Sequence, residues 1–278
     1  MRMQGIHFTK RAAALVAAWM LPHGGMLMAQ APEIRFGGEI PPEVDTIYER
    51  GLAWLAQAQK EEGNWQDGNS GAGVDGLGVM AFLAIGEDPT YGRYALNSRR
   101  AVRHIVKQQN QETGYLPNSM YHHGFAMLAL SEVYGAVDEA LVWPEGGKDA
   151  PSLAKALDLA IRCAVTAQKN NRWGGWRYAP SATDADTSVT GAVLMGLLAA
   201  RNAGMEVPDE CVKSAMDYMN RSTGKDGSVA YSGGFGGMGE SMNRSAIATL
   251  VSAVSKFRDE AKCESTLKHS TTRLDHQE

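Results

Sequence analysis

The stretch Gln168-Lys-Asn-Asn-Arg-Trp173-Gly174-Gly175-Trp176 closes one apolar helical run and opens another. Before it lie Ala160-Ile161 and Ala164-Val165; after it comes the apolar segment Val189 to Ala203. Each part of the stretch has a physical role. Glycine permits the positive φ on which many helices end. A Gln beside the helix end can hydrogen-bond the orphan carbonyls and the neighbouring turn. The aromatic then covers the turn and packs on the next hairpin.

The same unit recurs. Gly51-Leu-Ala-Trp54-Leu55 leads to Gln59 and Gly63-Asn64-Trp65, and Ala101-Val-Arg-His-Ile105 leads to Gln109 and Gly114-Tyr115. A degraded copy carries Ala215-Met216 and Tyr218-Met219, then Gly227-Ser228, with Tyr231 as its aromatic. From Gly63 to Gly114, Gly175 and Gly227 the steps are 51, 61 and 52 residues. That is the length of two helices with their connections, and too long for tetratricopeptide or ankyrin units. The segments after the turns, Gly76–Ala84, Gly124–Tyr134, Val189–Ala203 and Ala246–Val254, carry few charges. A helix apolar nearly all round is buried on both sides. The segments before the turns are more amphipathic, with Lys107, Arg162 and Lys213 among their apolar positions. Strand signals are nearly absent. The reading is an all-α fold, an α/α toroid of about four tandem helical hairpins with an inner and an outer layer.

At the N-terminus, Arg2, Lys10 and Arg11 precede the short apolar run Ala12–Leu21 and the small-x-small Ala29-Gln30-Ala31. This is the pattern of a cleaved export signal over residues 1–31. The expected layout is a repeat domain over 32–255 and a polar tail over 256–278, in a protein working in the periplasm or outside the cell. No stable membrane span is expected after cleavage. Hydrophobic residues make up 44% of the 278, enough for a sizeable core and against wholesale disorder. A net charge of −4 with no basic stripe argues against nucleic acid as a partner. Cys163, Cys211 and Cys263 have no short Cys-x-x-Cys spacing; Cys163 and Cys211 read as buried thiols. No metal or cofactor is expected.

The units Gln59…Gly63-Asn64-Trp65 and Gln168…Gly174-Gly175-Trp176 resemble the QW-type repeat of the squalene–hopene cyclases. Protein prenyltransferase β-subunits and complement thioester domains share that α/α-toroid superfamily. Gly174-Gly-Trp-Arg-Tyr-Ala-Pro180 with Asp186-Thr-Ser-Val-Thr-Gly191 is most similar to exported prenyltransferase/squalene-oxidase-repeat proteins, over roughly residues 45 to 255. Two departures follow from the resemblance. Its toroids close with more than four hairpins, which implies an incomplete ring with an exposed apolar edge, or closure as a homo-oligomer. Its cyclases protonate an alkene with the middle Asp of an Asp-x-Asp-Asp-Thr segment, and in Asp184-Ala185-Asp186-Thr187 that place is held by Ala185. The cysteine and histidine set of a prenyltransferase zinc site and the thioester Cys-Gly-Glu-Gln stretch are absent.

Polar residues gather where each turn meets its inner helix. Asp184 and Asp186 are the catalytic candidates; Asp75, His122, His123 and Arg244 are the ligand-binding ones. In a toroid these positions converge at one end of a central cavity, although an Asp there also caps a helix N-terminus. Trp176, with its structural role, and Tyr178 join the ligand-binding set. The Gly-rich stretch 224–239 reads as a plain loop over one end of the ring, with a lid as the sharper alternative. The expected function is an exported binding module whose cavity takes a peptide, a glycan or an apolar molecule. The alternatives are a terpenoid-cyclase-like or prenyltransferase-like enzyme and a polysaccharide lyase or hydrolase.

Overall fold

The structure is a computed structural model that describes residues 41–65, 71–84, 86–143, 152–232 and 241–274. The export signal expected over 1–31 and residues 233–239 of the Gly-rich stretch lie outside the described residues. The chain divides into two compact units between Asp45 and Thr46. The first is described only at 41–45, and the stacked helix pairs belong to the second.

The described residues are all-helical, with two isolated antiparallel bridges, Asp186 with Ser232 and Thr223 with Val229. In chain order the helices are α1 Pro42–Ala58, α2 Ala72–Leu83, α3 Ala95–Gln108, α4 Met120–Val133, the short α5 Glu139–Val142, α6 Leu153–Lys169, α7 Thr187–Asn202, α8 Asp209–Ser222, α9 Met242–Val254 and α10 Glu260–Leu274. The layers follow the sequence pattern. The apolar helices pack on one another in order, α2 on α4, α4 on α7 and α7 on α9. The amphipathic helices lie against them, α3 on α2, α6 on α4 and α7, α8 on α7 and α10 on α9. Small residues let the inner helices touch through their backbones. A Cβ on Gly76 would meet the Phe125 carbonyl at 2.7 Å, and one on Gly124 would meet the Ala192 backbone at 2.6 Å.

The turn glycines have a second role beyond φ. Gly63, Gly114, Gly174 and Gly227 all sit at positive φ. A Cβ on each would run into the backbone carbonyl of the next outer helix, at Arg100, Leu159, Ser214 and Ser265 respectively. Thus every turn docks on its successor through the atom that glycine lacks. It is Gly174, not Gly175, that takes the positive φ, so the repeat register shifts by one residue there. In the same register Gln59, Gln109 and Gln168 each bond two carbonyls. One belongs to the turn glycine (2.9, 3.0 and 2.7 Å) and the other to the next outer helix, at Asn97, Ala156 and Cys211 (2.9, 2.8 and 2.9 Å).

The fourth unit lacks that Gln, and the structure shows how the joint is made without it. Lys262 of α10 stands where Asn97, Ala156 and Cys211 stand in their helices. Its Nζ reaches back to the carbonyls of Asn220 and Thr223, both at 2.5 Å. The polar stretch beyond Val254 therefore holds a fifth outer helix, α10, with Thr266 buried. Its polarity reflects a helix covered on one side only.

The aromatics turn back rather than forward. Trp65 Nε1 donates to the Leu55 carbonyl at 2.7 Å and Trp176 Nε1 to the Ala164 carbonyl at 2.8 Å, each on its own outer helix. Counted from the turn glycine, Leu116 and Val229 occupy that place in the second and fourth units, and both are buried. Tyr115 and Tyr231 are therefore not equivalents of the tryptophans.

Cys163 and Cys211 are buried and Cys263 is half-exposed, all as free thiols. Burial pushes the Cys163 thiol up to about 11 and the Cys211 thiol up to about 12. Because the thiolate is the reactive form, an aromatic disulfide reagent at pH 8 should label one thiol rapidly, Cys263, and the other two only on unfolding. Rapid labelling of more than one would contradict the packing around α6 and α8.

Candidate functional site at the inner-helix mouths

The first turns of the inner helices sort their polar residues into two sets. The fourth residue of each helix, Asp75, His123, Thr190 or Ser245, points back between the layers, and all four are buried. Asp75 Oδ2 accepts from His104 Nδ1 at 2.7 Å and from Gln108 Nε2 at 3.1 Å, both on α3. His123 stacks on Tyr115, takes the Leu116 N–H on Nδ1 at 3.1 Å, and gives its Nε2 proton to the Ala160 carbonyl at 3.0 Å. Those partners fix the neutral tautomer, and burial pulls the imidazole down to about 4. Asp75 and His123 therefore join the layers. A buried charged or polar group needs a partner, and these two find theirs on the outer helices and the turn before them. Trp176 is corrected in the same sense: its ring is buried and its N–H is committed to Ala164.

A different set gathers around the starts of α4 and α7. Tyr178 and Tyr231 each lie four residues after their turn glycine, and their hydroxyls meet at 3.1 Å. The Arg177 guanidinium lies 5.6 Å from the centroid of each of these two rings. Its Nη1 also pairs with Asp184 Oδ2 at 3.2 Å. The Arg244 guanidinium stands 5.8 Å from the Tyr231 ring, and its Nε donates to the Val229 carbonyl at 3.1 Å. The cluster is tied to the helix starts through the backbone. Met120 N–H donates to the Tyr178 carbonyl at 2.8 Å and Thr187 N–H to the Tyr231 carbonyl at 3.0 Å.

Asp186 sits behind the tyrosines, fully buried. Its Oδ1 accepts the Val189 N–H at 2.9 Å and so caps α7. The capping reading of this residue holds. Its Oδ2 is also buried, and the Tyr231 hydroxyl is bonded to the same carboxylate. The bond with Tyr178 and then the Asp186 carboxylate raise the Tyr231 phenol far above the ordinary tyrosine value. Tyr121, in the first turn of α4, is raised first by burial and then by Asp186 and Tyr178. Both phenols therefore stay protonated through the physiological range. They are donors, not bases.

His122 is half-buried in the first turn of α4 against α2, where a Cβ on Gly73 would meet its Cα at 2.7 Å. Its Nδ1 is buried and accepts nothing at hydrogen-bonding geometry among the described residues. Asp184, by contrast, is well exposed and engaged with Arg177, so the two catalytic candidates do not form a carboxylate pair in one environment. Ala185 between them is buried. Of the expected site residues, then, Tyr178, Arg244, Asp184 and Asp186 gather in this cluster, His122 lies in the neighbouring helix start, and Asp75, His123 and Trp176 are buried elsewhere, bonded to the outer helices. Sequence reasoning missed Tyr121 and Arg177 and misassigned Tyr231 as a turn cover. Aligning the repeats on their positive-φ glycines is the signal that pairs Tyr231 with Tyr178.

Two other hollows lie on the outer side. One of ≈ 430 Å³ is lined by Glu112, Thr113, Arg162, Cys163, Asn170 and Ser181 among others, and one of ≈ 470 Å³ lies between Lys225–Asp226 and α10. The first has no aromatic ring in its lining, and the second is lined largely by charged and hydroxyl side chains. Among the described residues no group of three or more His, Cys, Asp or Glu could hold a metal ion. No described helix is long and apolar enough to cross a membrane.

Fold and site together define an all-α protein of stacked helix pairs with a tyrosine–arginine–aspartate cluster at its inner-helix starts. The chain belongs to the family described as Domain of unknown function (DUF6288), whose model matches residues 44–270. No curated protein and no solved structure matches the chain.

Proposed function

We propose that this chain is an exported binding module of the α/α-toroid type, and that it holds a glycan at the mouth of its inner layer. The observation that carries this reading is the balance of the cluster around Asp186. Three phenols and two guanidiniums stand with the Asp184 carboxylate and with the buried Asp186 carboxylate, to which the Tyr231 hydroxyl is bonded. Two positive and two negative groups give the site no net charge to select a simple anion. A wholly apolar ligand would cover the phenols and guanidiniums without offering them acceptors, at a cost of about 1–3 kcal/mol for each group left unpaired. A polyol supplies hydroxyls that accept from the phenols and guanidiniums and also donate to the carboxylates. The Tyr178 ring, 48% exposed, offers it a flat apolar platform. The half-exposed side chains of Phe125, Leu128 and Met195 continue the free face of the inner layer beyond the cluster.

The export expectation supports this reading, because glycans are the ligands of that compartment's surfaces. The cyclase-like alternative draws no support from Asp184 and Asp186, since the first is an exposed ion-pair partner and the second a helix cap. Thermal-shift measurements against neutral and acidic oligosaccharides, farnesol and a short apolar peptide test the proposal. A saturating oligosaccharide at about 100 times its Kd adds about 2.7 kcal/mol and raises Tm by several degrees, and Tyr178→Ala lowers its affinity about tenfold, equivalent to about 1.4 kcal/mol. Stabilisation by farnesol or the peptide alone, or by nothing in the panel, overturns it.

A further inference from the structure

Among the described residues, the stacking register that joins the repeats leaves one outer helix, α1, with no turn docked on it. The residue after each docking carbonyl is Ala101, Ala160, Ala215 and Thr266 in α3, α6, α8 and α10, and all four are buried by the preceding turn. Counting nine residues back from the Gln, as Arg100 is from Gln109 and Leu159 is from Gln168, the matching residue of α1 is Arg50, and the residue after it is Gly51. Gly51 is exposed, and a Cβ there would meet nothing within 4 Å. On the same stripe of α1, Ile47 is 68% exposed and Trp54 66%. The stripe runs Ile47, Gly51, Trp54 and Ala58, at the alternating spacing of four, three and four that keeps one helix face in register with a partner helix. No other described outer helix exposes two large apolar side chains on this face.

Size along the stripe alternates: large, small, large, small. An antiparallel pair of α1 helices about a two-fold axis between residues 52 and 53 sets Ile47 against the other copy's Ala58. It also sets Trp54 against the other copy's Gly51. Each large side chain then meets a gap at the right place on the facing helix, and the contact is the same from both sides, as a two-fold interface requires. A turn from a second copy cannot fill the stripe, because all four turn glycines are already docked on the next outer helix of their own chain.

We propose that α1 is a homodimer interface, in which Trp54 of each copy packs over Gly51 of the other. The contact continues the repeat-stacking interface across the two-fold axis, and it places the two inner-helix mouths on separate copies, so it is independent of the glycan reading.

Sedimentation equilibrium of the purified chain tests this, with circular dichroism as the control for folding. The wild type should show a concentration-dependent dimer. Trp54→Gly leaves a gap against Gly51 and Gly51→Trp sets two indoles against each other, so each alone should weaken the dimer at least tenfold. The double variant G51W/W54G exchanges large for small on both copies and should restore it. A wild-type chain that stays monomeric at high micromolar concentration, a dimer indifferent to Trp54→Gly, or a double variant no better than either single one, overturns the proposal.

Discussion

Replacing Gly114 by alanine should cost about 3–5 kcal/mol of folding stability, while the same change at Gly135 should cost about 1–2 kcal/mol. Both glycines hold a positive φ, at 74° and 82°, so the backbone penalty of an L side chain, about 1–2 kcal/mol, is common to the two. Only Gly114 faces a wall. A Cβ there would meet the Leu159 carbonyl of α6, whereas one on Gly135 would meet nothing within 4 Å. The Leu159 carbonyl belongs to the helical backbone and cannot rotate away, so the second repeat would have to lift off the third. A loss of 3–5 kcal/mol is a large part of the about 5–15 kcal/mol that holds a typical domain together. Urea denaturation of the two variants decides the point. Equal costs would mean that the turn glycines serve backbone geometry alone, and that the repeats do not stack through them.

The second large effect is a loss of stability in mild acid. His123 is fully buried and neutral, with its imidazole pulled from 6.5 down to about 4 by burial. The unfolded chain therefore binds a proton near pH 6.5 that the folded chain refuses until about pH 4. Between those values the unfolded state carries more protons, so stability rises with pH across the window. It is fully present above pH 6.5 and falls as the pH drops, by about 1.4 kcal/mol per unit and about 3 kcal/mol in all. His123→Gln keeps one donor and one acceptor without the titration. Its unfolding free energy, followed from pH 7 to pH 4, should lose most of that slope. A variant with the wild-type slope would place the acid sensitivity elsewhere.

The layers of the fold were legible because hydrophobicity alone separates the helices. Segments with almost no charge became the inner row, and segments interrupted by Lys107, Arg162 and Lys213 became the outer one. The bonding role of Gln59, Gln109 and Gln168 was legible for a similar reason, since a Gln beside a terminating glycine has few other partners. The last outer helix was not. Its contact is made by Lys262 reaching backwards, and no spacing rule equates a lysine with the glutamine of the preceding unit.

The site was half legible. Helix starts do gather polar residues, but the sequence does not say which side of the first turn they face. A helix turns by about 100° per residue, so the fourth residue of the turn looks into the outer layer while its neighbours look out. Asp75 and His123 fell on the inward side. Arg177 and Tyr121 escaped notice because nothing in a chain pattern distinguishes a cation above a tyrosine ring from a solvated one.

The measurement that bears most directly on the glycan-binding reading is the hydrogen-exchange footprint of a bound oligosaccharide. Protection should appear at 119–123, at 176–188 and at 229–232, the backbone that carries Tyr121, Tyr178, Asp186 and Tyr231. Protection confined instead to the outer hollow around Glu112, Thr113 and Asn170, or found nowhere in the presence of saturating glycan, would contradict it.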